Sequence, residues 1–155
     1  MGEVVNLLEL PLEPFEPAPE GHRFRGRSLS ADVGAKLTGL GVYELEPGQA
    51  TWPYHFELVE EEWLLVIAGE VTLRTPDGER RLRAGDVACF PAGAAGAHAV
   101  RNDGDAVARF AMPSSVAPYG DGAVYPDSGK LAVHAPGFEH RGRLGEAVQY
   151  WEGEA

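Results

Sequence analysis

Cysteine and basic residues are both scarce in this chain of 155 residues. Cys89 is the only cysteine, so an intramolecular disulfide and a zinc ribbon are both excluded. The 13 Lys and Arg residues are outnumbered by 24 Asp and Glu, which gives a formal net charge of -11. A surface with this charge repels nucleic acid and anionic membranes. We therefore expect neither of them as a partner.

Long hydrophobic runs and several well-known motifs are missing as well. The longest uncharged run, residues 87–100, is too short and too rich in Gly and Pro to cross a bilayer. No basic segment precedes the first apolar residues, which argues against a secretory signal and makes a cytoplasmic location the expectation. The sequence has no nucleotide-binding glycine loop, nucleophile elbow or kinase signature, and this disfavours those enzyme classes.

Turn-forming residues are abundant and regularly placed. The 20 glycines and 12 prolines punctuate short apolar runs, and turn signals recur every eight to twelve residues or so. This rhythm predicts a single all-β domain, either a barrel or a sandwich. The predicted strands are residues 37–45, 52–58, 62–68, 71–75, 80–83, 87–90, 98–101 and 106–112, with a weaker turn and edge strand in 124–133.

Three regions follow from this pattern. Residues 1–36 form an N-terminal arm and the segment leading into the barrel. Four prolines within residues 11–20 favour an extended chain that either packs on a neighbouring subunit or stays loose. Residues 37–113 form the barrel core, and residues 114–155 supply C-terminal strands and a tail. Two aromatic residues near the end, Tyr150 and Trp151, predict that the tail packs on the barrel.

Four potential metal ligands lie in the strand-rich part of the sequence: His55, Glu57, Glu62 and His98. His55 and Glu57 are two positions apart, so on a strand their side chains point to the same face. Glu62 begins an apolar strand, and burying an unpaired carboxylate there costs roughly several kcal/mol. A divalent cation would offset that cost and leave the site formally neutral. The sequence therefore predicts one bound ion, and the mixed nitrogen and oxygen donors suit Mn, Fe, Ni, Co or Zn.

The glycines and prolines around these ligands resemble the two cupin motifs, G(X)5HXH(X)3–4E(X)6G and G(X)5PXG(X)2H(X)3N. Residues 73–78, 124–130 and 150–154 are also similar to a group of small, uncharacterised bacterial single-cupin proteins. The resemblance implies a double-stranded β-helix (jelly-roll) barrel with a metal near its middle, a small-molecule ligand and a homodimer. The matching residues are Gly48, His55, Glu62 and Gly69 for the first motif and Gly85, Pro91, Gly93, His98 and Asn102 for the second.

The chain departs from the motifs at three places. Six residues separate Gly48 from His55 and four separate Gly93 from His98, one and two more than the pattern has. Position 57 is Glu where the pattern has the second histidine. Glu57 is then either a fourth metal ligand, which we favour here, or a catalytic general base beside a two-histidine, one-carboxylate set.

Several functions remain open at this stage. The first is a metal-dependent enzyme acting on a small organic molecule, with oxygenase, decarboxylase or isomerase chemistry. The second is a non-catalytic module that binds a sugar or another small molecule through the metal, and the third is a cupin with a structural metal. Arg109 is either an inward anion anchor or, in our preferred interpretation, part of a surface salt bridge. His134 and His140 are read as surface residues that could approach the barrel mouth.

Overall fold

The fold is almost entirely β-structure. A computed structural model describes residues 3–154. The only helices in this range are α1 (Ser30–Val33) and a 3-10 turn at Ala94–Gly96, and neither has the length and apolar character to span a membrane. The strands are β1 (Glu13–Pro14), β2 (Phe24–Ser28), β3 (Thr38–Leu45), β4 (Phe56–Glu57), β5 (Glu62–Ala68), β6 (Glu70–Thr75), β7 (Gly78–Arg83), β8 (Val87–Phe90), β9 (Ala99–Arg101), β10 (Ala108–Ser115), β11 (Asp121–Tyr125), β12 (Lys130–Ala135) and β13 (Phe138–Arg143).

These strands form three antiparallel sheets in a jelly-roll arrangement. The largest has six strands in the order β1-β2-β3-β10-β5-β8, the second has the order β13-β12-β11-β4, and the third has the order β7-β6-β9. The ladders do not join into one continuous closed sheet. The predicted all-β, jelly-roll fold is confirmed.

Alternation along β5 shows how the sequence fixes the interior. Leu64 and Val66 are buried in the main core, whereas Trp63 and Leu65 are exposed on the outer face. Glu62 has the same parity as Leu64 and Val66, so its side chain also points inward. A slip of one residue would expose the apolar pair and turn Glu62 outward, so burial of this face specifies the register.

The N-terminal arm packs on its own chain in this structure. Leu10 and Leu12 are buried in a second apolar cluster on the six-stranded sheet. The next residues, β1, pair with β2 through Glu13 and Pro14. Phe15 then stacks on Phe24 with ring centroids 4.7 Å apart.

The C-terminal tail does not pack on the barrel through its aromatic residues, contrary to the prediction from the sequence. Tyr150 and Trp151 contact each other edge to face, but they are 84% and 76% exposed. The prediction that these aromatics hold the tail against the barrel is therefore wrong for the described chain. Residues 145–154 contain few other apolar side chains, so little apolar area is available to offset the entropy of ordering the tail.

Candidate metal centre

Two segments far apart in sequence bring the predicted ligands together. His55 lies just before β4 and His98 just before β9, and the two residues are paired in an isolated antiparallel bridge. Glu62 is the first residue of β5 and points inward from the neighbouring sheet. The three side chains therefore converge from three separate chain segments.

The ligand atoms of these three residues lie within 4.8 Å of one another. Glu62 Oε2 is 3.5 Å from His98 Nε2 and 4.0 Å from His55 Nε2. Glu57 lies next to this group, with Oε1 3.5 Å from His55 Nε2. All four predicted site residues are therefore neighbours, but the compact set comprises only His55, Glu62 and His98.

Backbone carbonyl groups fix the orientation of both imidazoles. Nδ1 of His55 lies 2.8 Å from the Pro53 oxygen, and Nδ1 of His98 lies 3.0 Å from the Gly96 oxygen. A carbonyl oxygen can only accept, so each Nδ1 carries the proton and donates it. Each Nε2 is then left with a lone pair directed at the site, which is how histidine ligands are commonly prepared for a metal.

Burial keeps both imidazoles neutral. The His98 ring stacks on Phe90 at 3.8 Å and is 2% exposed. Removal from water, with a smaller contribution from the neighbouring His55, lowers the pKa of His98 to about 4. Burial also lowers the pKa of His55. Both rings are therefore neutral at pH 7, with Nε2 unprotonated, as metal ligation requires.

Burial has the opposite effect on the carboxyl groups. It raises the pKa of Glu57 to about 8, with further contributions from Glu62, Asp121 and Glu60. It raises the pKa of Glu62 to about 7, with Glu60 and Asp121 adding to the effect. The carboxylate forms thus lack compensation by positive charge in the protein alone, and a cation in this position would supply it.

Two buried atoms at the centre show that the residues present fit a metal ion. Within residues 3–154, Glu62 Oε2 and His98 Nε2 are buried and have no hydrogen-bond partner. Buried polar atoms nearly always have a partner, so such a pair needs an explanation. A divalent ion between one carboxylate and two neutral imidazoles would satisfy both atoms, and this donor set is typical of Mn, Fe, Ni, Co and Zn.

The ligands open into a cavity of about 460 Å³. Pro53, His55 and Glu57 line it and Tyr54 and Phe56 do not, as alternation along a strand predicts, but Trp52 lines it as well because the strand is regular only at β4. Strands β11, β12 and β13 supply the outer wall of this cavity, which the sequence pattern did not predict. Of the residues on these strands that line the cavity, the sequence indicated only His134 as one that could approach the barrel mouth. The lining residues are Phe15, Tyr43, Trp52, Pro53, His55, Glu57, Glu62, Ala123, Tyr125, Lys130, His134 and Arg141.

Arg109 does not reach this cavity. Its guanidinium pairs with Glu44 at 2.7 Å and donates to the carbonyl oxygens of Leu7 and Leu10. The salt-bridge interpretation is therefore correct, but the residue is half-buried beneath the N-terminal arm rather than on the open surface.

Several known proteins share this architecture. A provisionally assigned sugar phosphate isomerase from Acidithiobacillus ferrooxidans is 26% identical, with 83% of each chain covered and a TM-score of 0.74. A cupin-superfamily sugar phosphate isomerase from Silicibacter pomeroyi is 22% identical, with 96% of this chain and 98% of that chain covered and a TM-score of 0.80. Oxalate decarboxylase from Bacillus subtilis, which has Mn(II) centres, is 28% identical, with a TM-score of 0.52.

The chain covers 83% and 98% of the two isomerase chains but only 30% of the oxalate decarboxylase chain, which in turn covers 74% of this one. No curated protein sequence matches the chain. Residues 41–113 match the family model of the cupin domain. Together with the jelly-roll fold, this match shows that the chain contains a cupin domain over residues 41–113.

Proposed function

We propose that this cupin binds one divalent transition-metal ion through His55, Glu62 and His98 and is a metal-dependent enzyme acting on a small organic molecule. The observation that carries the proposal is the meeting of three ligand atoms within 4.8 Å, two of which have no other partner among the described residues. When bound, the ion would supply a Lewis acid that polarises a carbonyl, carboxylate or hydroxyl oxygen of the substrate.

Glu57 is the residue we assign to proton transfer. Its carboxyl group lies beside His55 but outside the compact ligand set. Without the ion, burial raises the pKa of Glu57 to about 8. A bound cation would lower this pKa toward the neutral range, in which the group can both hold and release a proton. This property supports isomerase or decarboxylase chemistry, in which a proton moves to or from the substrate. The alternative role is that of a fourth ligand in a two-histidine, two-carboxylate site. In that case, substitution of Glu57 would lower the metal content of the protein.

The similar proteins support the same class of chemistry. The isomerase that is 26% identical points to a small polyhydroxylated substrate, and the oxalate decarboxylase with Mn(II) centres favours manganese among the five candidate metals. The homodimer and the cytoplasmic location stay predictions from the family resemblance and from the sequence.

The test is metal stoichiometry in protein reconstituted with Mn²⁺ and desalted, measured by elemental analysis. We expect about one equivalent per chain in the wild type and a large loss in Glu62→Gln, which keeps the side-chain volume. His140→Gln is the matched control, because His140 is exposed and outside the ligand cluster. A wild type that holds no metal after reconstitution would overturn the proposal.

Glu57→Gln separates the two roles of that residue. A proton-transfer role predicts full metal content with loss of turnover, and a ligand role predicts reduced metal content as well. Stabilisation of the metal-loaded protein by a small molecule that it never converts would instead support the non-catalytic binding module.

A further inference from the structure

A row of four residues paired across β4, β11, β12 and β13 forms part of the outer wall of the cavity. It begins at Glu57, beside the candidate metal centre, and ends at Arg141. Glu57 on β4 pairs with Ala123 on β11, Ala123 pairs with Ala132 on β12, and Ala132 pairs with Arg141 on β13. Residues paired across adjacent strands point to the same face of a sheet. Glu57 and Arg141 therefore stand at opposite ends of one face, and both line the cavity.

The two residues in the middle of this row have small, apolar side chains. Ala123 and Ala132 are both buried, and Ala123 also lines the cavity. Three strand spacings place the Cα atoms of Glu57 and Arg141 about 14 Å apart. After both long side chains are accommodated, the remaining length suits a ligand of several carbon atoms lying in the cavity over Ala123.

A second cation, Lys130, is a diagonal neighbour of Arg141 in the sheet, because Lys130 pairs with Arg143, two residues farther along β13. Lys130, on β12, lines the cavity, and its Nζ lies 5.1 Å from the centre of the Tyr125 ring. Tyr125 in turn stacks on the ring of His55 at 5.6 Å, so these contacts run from the candidate metal centre to the ammonium group.

Neither of the two cations is neutralised by a carboxylate of the described chain. The chain carries a net charge of -11, yet, among the ion pairs of residues 3–154, none involves Lys130 or Arg141. Other arginines, including Arg74, Arg101 and Arg109, pair with a carboxylate. Two cations without a protein anion, placed at the edge of a cavity, form a site for an anionic group of a ligand.

We propose that Arg141 and Lys130 bind the phosphate group of a small phosphate monoester whose other end lies at His55, Glu62 and His98. A phosphate dianion matches two positive charges, and the planar guanidinium of Arg141 suits two of its oxygens at once. Arg141 and Lys130 are then specificity-determining residues of the cavity. The inference rests on the proposed function for the other end of the ligand, but the anion site itself does not require the metal.

The experiment is isothermal titration of four probes into the Mn²⁺-treated protein and into protein freed of metal by a chelator. The probes are inorganic phosphate, acetate, fructose 6-phosphate and fructose, at constant ionic strength. We expect fructose 6-phosphate to bind more tightly than fructose, and phosphate more tightly than acetate. Arg141→Gln should weaken binding of both phosphate-bearing probes by about tenfold or more, and Lys130→Gln should weaken it by a smaller factor.

Arg143→Gln is the matched control. It removes the same charge from the same strand, but Arg143 donates to the Ser128 carbonyl and is outside the cavity lining. This variant should bind the four probes within about twofold of the wild type, because Arg143 does not line the cavity, whereas Arg141 does. Equal losses of affinity in Arg141→Gln and Arg143→Gln would show that only the net charge matters, and this result would overturn the proposal.

The remaining outcomes separate this proposal from the metal proposal. The phosphate site would be overturned, even if Mn²⁺ is bound, by either of two results. One is that fructose 6-phosphate binds no better than fructose and phosphate no better than acetate. The other is that acetate binds more tightly than phosphate and its binding depends on Arg141. A protein that binds no Mn²⁺ but retains phosphate binding dependent on Arg141 would overturn the metal proposal and support the anion site.

Discussion

His55 and His98 are joined through their backbones as well as through the candidate site. The amide of His55 donates to the His98 oxygen at 3.1 Å, and the amide of His98 donates to the His55 oxygen at 2.8 Å. This reciprocal pair fixes the spacing of the two imidazoles independently of their side chains. Substitution of a ligand side chain should therefore remove metal binding without separating the two segments.

Metal binding should stabilise the fold. At a free Mn²⁺ concentration 100 times its dissociation constant, the free energy of unfolding should rise by about 2.7 kcal/mol, because only the folded chain holds the ligands together. For a chain of this size, that gain corresponds to a rise in Tm of roughly 5–10 °C in a thermal melt. The rise should vanish in Glu62→Gln, and an equal rise in that variant would place the bound metal elsewhere.

The metal-free protein should lose stability as the pH rises from about 7 to about 8. Glu57 and Glu62, with pKa values raised to about 8 and about 7, retain protons in the folded chain that the unfolded chain has already released. Deprotonation therefore favours the unfolded state, by about 1 kcal/mol over this interval. The histidines, with lowered pKa values, are mostly neutral in both states here.

Urea titrations in the presence of a chelator measure this pH dependence. The double variant Glu57→Gln, Glu62→Gln removes both titrating groups, so its stability should be flat across the interval. A wild type as stable at pH 8 as at pH 7 would contradict the assignment of raised pKa values to these carboxyl groups.

Gly96 should be intolerant of a side chain. A Cβ at this position would overlap the Pro91 carbonyl oxygen, and the Gly96 oxygen is the acceptor that orients His98. Gly96→Ala should therefore shift the imidazole, weaken metal binding by about tenfold or more and destabilise the fold. Gly145→Ala is the control, because a Cβ there meets no atom within 4 Å. Metal titrations of the two variants test the difference, and equal affinities would contradict it.

Asn102 should be a structural residue rather than a site residue. It is 0% exposed, and its side-chain amide donates to the oxygens of Leu45 and Ala106. Asn102→Ala leaves both buried acceptors without these partners, so the free energy of unfolding should fall by about 2–3 kcal/mol while the folded protein keeps its metal. Asn6→Ala, at an exposed amide, should change little. Loss of metal from folded Asn102→Ala would contradict this assignment.

Arg109 should hold the N-terminal arm in place. It is the half-buried donor to the oxygens of Leu7 and Leu10, and Arg109→Met removes those bonds and leaves Glu44 without its partner. We expect a loss of about 1–3 kcal/mol and faster proteolysis within the arm. The control is Arg27→Met, which breaks the more exposed pair with Asp32 and should cost less than about 1 kcal/mol. Equal proteolysis of the two variants would contradict the role of Arg109.

The parts of the fold that the sequence predicted well are those with a strong local pattern. The bounds predicted for β5 and β8 agree with the structure, because buried and exposed residues alternate along them between clear turns. The convergence of His55, Glu62 and His98 followed from motif spacing and from the cost of burying a carboxylate. Their role as metal ligands stays a prediction.

The missed elements depend on contacts between distant segments. The strand predicted over residues 52–58 is reduced to β4, because Pro53 has no N–H for a ladder and the preceding residues form only isolated bridges. β13 lacks apolar alternation, so nothing local distinguishes it from a loop. The position of Arg141 opposite Glu57 depends on three strand registers in succession, none of which is encoded in the spacing of the two residues.

The two ends of the row from Glu57 to Arg141 come from different parts of the chain. The compact ligand set comes from residues 55–98, whereas the far wall comes from the β11–β13 meander near the end of the chain. Grafting that meander from a relative should thus yield a chimaera with inherited metal content and altered ligand preference. Reaction chemistry and substrate choice would then be interchangeable modules, free to diverge separately within one scaffold.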